Sequence, residues 1–230
     1  MAWNFGVQIN SLTGFDANLD SASEEGDDFT TLANQWLNDA AKEVISLMPA
    51  NLKQKCAQIT VLNNATTTMD LDNIGDVLQV TRKNANSGYH TPCRKIPSMY
   101  GDSANDSTNM MYYATATDPV YWTTSNSSDV ATLFIKPTPT ANQTANVYHI
   151  TYPTVDHAAI SIDNFPDEAE HLVALRAAIT AAQYKLNFEE DPELYIPIIS
   201  SLKSKYIDGV QSLKVGEILP SQQPGAKKWQ

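Results

Sequence analysis

The 230 residues carry 26 acidic against 15 basic side chains, a formal charge of −11 and a pI near 4.6, which excludes a groove that wraps nucleic acid, because such grooves are built from clustered Lys and Arg. The length allows one good core, or one core with a satellite domain, and the 18% charged fraction with a middle dense in Thr, Asn and Ser suits β-structure whose outer faces are polar but uncharged. Cys56 and Cys93 are too few and too far apart for a disulfide framework or a zinc site. No run approaches membrane-spanning length and Met1 to Gly6 lacks a basic-then-apolar leader, so assembly in a cytoplasm and no membrane contact are expected.

Residues 1–26 read as an N-terminal arm with anchors Trp3, Phe5, Val7 and Ile9, followed by an acidic stretch ending Glu24-Glu25-Gly26. Their alternation predicts a short strand added to a neighbouring subunit, the alternative being a loose arm. Asp27-Asp28 opens a helix with Phe29, Leu32, Ala33, Trp36, Leu37, Ala40, Val44 and Leu47 on one stripe, stopped at Met48-Pro49.

From about Lys55 the period changes to two, predicting strands at 57–62, 77–82, 110–114, 120–124, 132–135 and 146–152. Val120 to Ile135 is the clearest hairpin, and Pro137 and Pro139 end its second strand. Because helices flank this stretch on both sides, it is expected as an insertion whose ends lie close together.

The strongest element is a helical hairpin from Phe165 to Leu213. Asn164-Phe165-Pro166-Asp167-Glu168 reads as a polar cap, a first-turn proline and two carboxylates. Leu172, Leu175, Ile179, Ala182 and Leu186 then recur at helical spacing, with Ala169, Ala174, Ala177, Ala178 and Ala181 smoothing the other sides. Asp191-Pro192-Glu193 opens the second arm, in which Pro197 kinks or delays a face of Tyr195, Ile198, Leu202, Tyr206, Val210 and Leu213. A helix lined with alanine needs neighbours on several sides; an ordinary bundle core would supply them, and so would a second copy meeting Leu172, Leu175, Ala178, Ile179 and Ala182 as a ring interface. After Leu213 the periodicity fails, and residues 214–230 read as an extended arm ending Lys227-Lys228-Trp229-Gln230, whose tryptophan calls for a partner's cavity. The fold class is therefore α+β: a helical bundle of residues 27–54 and 160–213, an inserted antiparallel β-rich domain at 55–159, and two terminal arms.

Chemistry is sparse. His90, His149, His157 and His171 lack metal-ligand spacing, and no catalytic or phosphate-binding motif is present. His90 with Cys93 has no orienting third group. Asp70 to Asp76 has the start of a calcium loop but Ile74 at the fifth position and Thr81 rather than Glu at the twelfth, so a turn into a strand is expected. Asn64, Asn105, Asn126 and Asn142 precede x-Ser/Thr by composition alone. No catalytic residue, metal or cofactor is expected.

The order of Asp27-Asp28-Phe29, Cys93-Arg94-Lys95-Ile96-Pro97, Met111-Tyr112-Tyr113-Ala114-Thr115, Asp118-Pro119-Val120-Tyr121, Lys136-Pro137-Thr138-Pro139, Tyr152-Pro153 and Phe165-Pro166-Asp167-Glu168-Ala169-Glu170-His171 resembles the neck, or head-to-tail adaptor, proteins of tailed bacteriophages. That resemblance implies a dodecameric ring under the portal in the virion, with a DNA channel and no specific DNA binding. It also implies tail tube, nozzle or fibre proteins as partners, and a C-terminal arm, here Lys227, Lys228, Trp229 and Gln230, that anchors to the portal. An acidic channel wall would repel the DNA backbone and keep transit free. The alternatives are another neck or tail-completion protein, or a glycan-binding β-module with Tyr89, Tyr100, Tyr112, Tyr113, Tyr121 and Trp122 as stacking platforms. A cell-envelope hydrolase is disfavoured by the missing acid/base groups.

Overall fold

A computed structural model describes residues 3–14, 29–125, 130–187 and 192–218. The fold is α+β and divides into two compact units, Met1–Cys56 with Tyr152–Gln230, and Ala57–Thr151.

The first unit is helical: α1 Phe5–Thr13, α2 Phe29–Leu47, the short α3 Ala50–Lys53, α4 Asp167–Leu186 and α5 Tyr195–Ile218. The expected strand or loose arm at residues 3–9 is instead α1. Asn4 caps it by accepting from Val7 N at 2.8 Å, Gly14 closes it in the left-handed conformation, and Phe5 and Ile9, one turn apart, are buried. Its first-turn amides find carbonyls across the unit, Phe5 N donating to Ala159 O and Gly6 N to His157 O at 3.0 and 2.7 Å. Spacing of four, not two, is the pattern that folding selects.

Helix α4 lies at the centre, packed against α1, α2 and α5. Its first turn carries Asp167, Glu168 and Glu170, which suit the positive end of the helix dipole. Glu168 pairs with Lys55 at 2.6 Å, and Glu170 accepts from Ile162 N at 2.6 Å. The polar cap expected at Asn164 is absent: Asn164 sits in the left-handed region (φ 55°) and Pro166 takes the cap position without a side-chain bond. In α5, Pro197 falls within the first turn, where its missing N–H costs no helical bond, and the helix runs on to Ile218 rather than giving way to an arm at residue 214.

The second unit pairs two four-stranded sheets. Its strands are β1 Ala57–Leu62, β2 Thr68–Asp70, β3 Ile74–Lys83, β4 His90–Pro92, β5 Arg94–Lys95, β6 Val120–Ser125, β7 Ala131–Lys136 and β8 Ala145–Thr151. The first sheet runs β1-β8-β3-β4 and the second β2-β7-β6-β5, antiparallel except for β5 beside β6. Leu62, Val80, Ala145 and Val147 from one sheet meet Met69, Leu133 and Ile135 from the other in a single core. β6 and β7 form the expected hairpin, Trp122 opposite Phe134. The Asp70 to Asp76 stretch is a turn into β3, with Asn73 at φ 58° and Ile74 N bonded to Leu71 O. Ala57 pairs with Ile150, so the chain enters and leaves this unit through one ladder.

Candidate interaction surface

Residues 96–118 cover the outer face of the second sheet, and they do so without the strand expected at 110–114. Asp106-Ser107-Thr108-Asn109 breaks the alternation with local hydrogen bonds: Thr108 N and Oγ1 both donate to Asp106 Oδ1, at 2.9 and 2.7 Å, and Met111 N and Tyr112 N donate to Asn109 Oδ1. The Thr108 bonds hold the Asp106 carboxyl below its usual range. Ile96, Ala104 and Ala114 seat the segment on Val120 and Trp122. Gly101 lies against the indole, where an added Cβ would come within 2.7 Å of Trp122 Cε2 and Nε1. Arg94 pairs with Asp118 at 3.0 Å, and the rings of Tyr100 and Tyr112 stack with centroids 4.1 Å apart.

This pinned loop turns its long apolar side chains outward. Met110 is 97% exposed, Met99 77% and Met111 69%, with Tyr113 and Tyr89 also exposed. Met99 adjoins Tyr100 in the chain, and Met111 and Tyr113 flank Tyr112, so the ring stack draws two separate stretches of this apolar set together. Unbranched thioethers reshape to fit a partner, and a backbone already fixed by packing loses little entropy on docking. The arrangement suits protein recognition.

It does not suit catalysis. Burial pushes the Cys93 thiol up to about 12 even with Arg82 nearby, so little thiolate forms at neutral pH. His90 bonds Thr81 Oγ1 at 3.2 Å instead of facing Cys93 as a base. His149 is buried between the hydroxyls of Thr60 (2.9 Å) and Thr151 (3.2 Å), and burial lowers its pKa. Arg82, also buried, donates Nη2 to Thr138 O and Gln143 Oε1, tying down the loop after β7. Among the described residues no group of His, Cys, Asp and Glu is placed to hold a metal ion.

The sequence-predicted sites fare differently. Leu172, Ala178, Ile179 and Ala182 are buried in the helical unit's own core and Leu175 is half-buried, so they offer little surface to a second copy. The reason is that α1 and α2 already line α4. Lys227, Lys228, Trp229 and Gln230 lie outside the described residues. Of the stacking candidates, Trp122 is buried against Phe134, Tyr121 is half-buried on the core between the sheets, and Tyr100 and Tyr112 stack on each other, which leaves Tyr89 and Tyr113 open. Met110 and Met111 are the residues that alternation misassigned, and the Asp-Ser-Thr-Asn run before them was the available signal for a loop.

In a comparison with known families, the SU10 adaptor protein family matches residues 15–201. No curated protein matches.

Proposed function

The chain belongs to the SU10 adaptor protein family and is a structural component of a phage particle; from that premise we propose that it forms a ring beneath the portal, joins head to tail and lines the path of the DNA. The β unit meets tail proteins through the Met99, Met110, Met111 and Tyr113 loop, and residues 219–230 carry Lys227, Lys228 and Trp229 to the portal. The observation that supports this reading best is the loop itself: an apolar set held outward by a backbone seated on Trp122. The excess of 11 negative charges supports a channel wall that repels phosphate.

The test removes residues 219–230, which leaves α5 whole. The truncated chain should stay soluble with unchanged helical circular dichroism and should fail to join DNA-filled heads in a complementation assay. Infectious particles at the normal yield would contradict the portal role. Replacing Met99, Met110 and Met111 by Ala should leave attachment to heads intact and lower tail joining, separating the two ends of the reading.

A further inference from the structure

Among the described residues, the two sheets have four edge strands, and three of them are poor templates for pairing. β2 has three residues and ends in Asp70, β4 has three and ends in Pro92, and β5 is only Arg94 and Lys95. Shortness, charge and proline are the usual means by which edges are blunted. β1 has none of them: six residues, Ala-Gln-Ile-Thr-Val-Leu, uncharged, paired on one side with β8 and with no strand on the other among the described residues.

Its outer face is also apolar. Leu62 points into the sandwich core, and Thr60 bonds the buried His149 on the same side. Ile59 and Val61 point the opposite way and stand 55% and 49% exposed. A β-branched pair on the solvent side of an unblunted edge is a surface made for another strand.

We propose that β1 pairs antiparallel with β1 of a second copy, about a twofold axis at Thr60. Side-chain direction repeats every two residues, so a twofold pairing keeps both outer faces together only when opposed residues differ by an even number. Centring on Thr60 meets this condition and sets Ile59 opposite Val61 twice. Centring on Ile59 also meets it, but leaves Val61 opposite Ala57. A second copy is the fitting occupant for two reasons. Copies carrying 11 excess negative charges each repel, and an uncharged strand is where they approach at least cost. The other edges of the chain offer only two or three residues, whereas β1 offers itself a five-residue ladder from Gln58 to Leu62. Two such strips bury well under the roughly 1,200 Å² of a standard interface, so the pair is weak. A twofold contact is isologous and differs from the head-to-tail contact between neighbours in a cyclic ring; it belongs to the free chain and does not rest on the ring.

The experiment is sedimentation velocity on the full chain over a concentration series, with circular dichroism to verify folding. The wild type should move reversibly between one and two chains. Ile59→Lys with Val61→Lys should weaken this at least about tenfold, through two like-charge pairs. Ile59→Lys with Val61→Glu should restore it, because the register sets the introduced lysine of each copy against the introduced glutamate of the other. A wild type that stays monomeric, or a Lys/Glu variant as dissociated as the Lys/Lys one, overturns the proposal. A wild type that closes directly into a larger ring overturns the pair while upholding the ring.

Discussion

In the helical unit, α4 is surrounded by α1, α2 and α5, and its alanines let those helices approach until little apolar surface is left on it. In the β unit, the second sheet is covered on both faces, by its partner sheet and by residues 96–118, yet the covering loop and strand β1 keep large apolar groups in solvent. Small residues make a self-sufficient core because close packing has no use for a partner; long side chains on a fixed backbone leave valence for one. The alanine-rich helix read in the sequence as a contact surface is thus largely enclosed within its own unit, while the loop at residues 96–118 keeps Met99, Met110 and Met111 in solvent.

The helical unit adds a polar clamp to this packing. Glu43 on α2 accepts from Arg176 Nε on α4 at 2.6 Å and from the Tyr206 hydroxyl on α5 at 3.0 Å, and Arg176 also reaches Thr180. Burial, with Glu43 beside it, pushes the Tyr206 phenol well above its usual range. Trp36 and Tyr184 add a tilted ring contact at 5.4 Å.

The enclosure of the helical unit is most exposed to damage at Leu172, fully buried on α4 and filling the space where Gly209 lacks a Cβ. Leu172→Ala should cost about 3 kcal/mol by leaving a cavity in a closely packed site; urea unfolding followed by hydrogen exchange in α2, α4 and α5 measures it. A loss below about 1 kcal/mol would mean that the helices relax and that the enclosure is looser than drawn. Next in size is Gly101→Ala, which sets a methyl against the Trp122 ring. The expected cost is about 1 to 3 kcal/mol from overpacking, with faster proteolysis in residues 97–118. An unchanged cleavage rate would show that the loop is not seated on the indole.

The smallest effect is one of pH and concerns His149 in the β unit. Its pKa is lowered from 6.5 by burial, so the unfolded chain takes up the proton first as pH falls. The stability this site contributes is present above about pH 6.5 and declines as pH drops through that value towards the depressed one. Urea midpoints at pH 7.5 and 5.5 should separate, and His149→Asn should reduce the separation. Equal separations in the two proteins would remove His149 from the account.

Much of the fold was legible because its signals are local. Val120 to Ile135 alternates about a polar loop and forms β6 and β7; Ala57 to Leu62 forms β1 as read; α2 follows from its apolar spacing and α4 from its spacing and acidic start, while the Asp27-Asp28 start read for α2 lies outside the described residues. What was not legible depends on contacts distant in sequence. α1 competes with a strand reading until its amides meet the carbonyls of His157 and Ala159, far along the chain. β2, β4 and β5 are too short to carry a period and exist only through their neighbours in the sheets. The alanines of α4 announced close packing but not with whom, since nothing in their spacing separates a helix of the same chain from one of another. The methionine surface was hidden by an alternation that is real in the letters and overridden by the Asp106 and Asn109 turns.

The pairing of Ala57 with Ile150 has an evolutionary consequence. Directly opposed residues of an antiparallel ladder lie about 5 Å apart, so the whole stretch between them can be excised or exchanged with only a short splice joining Cys56 to Tyr152. A lineage could replace this cassette and keep its helices untouched, so that the two units change on separate schedules.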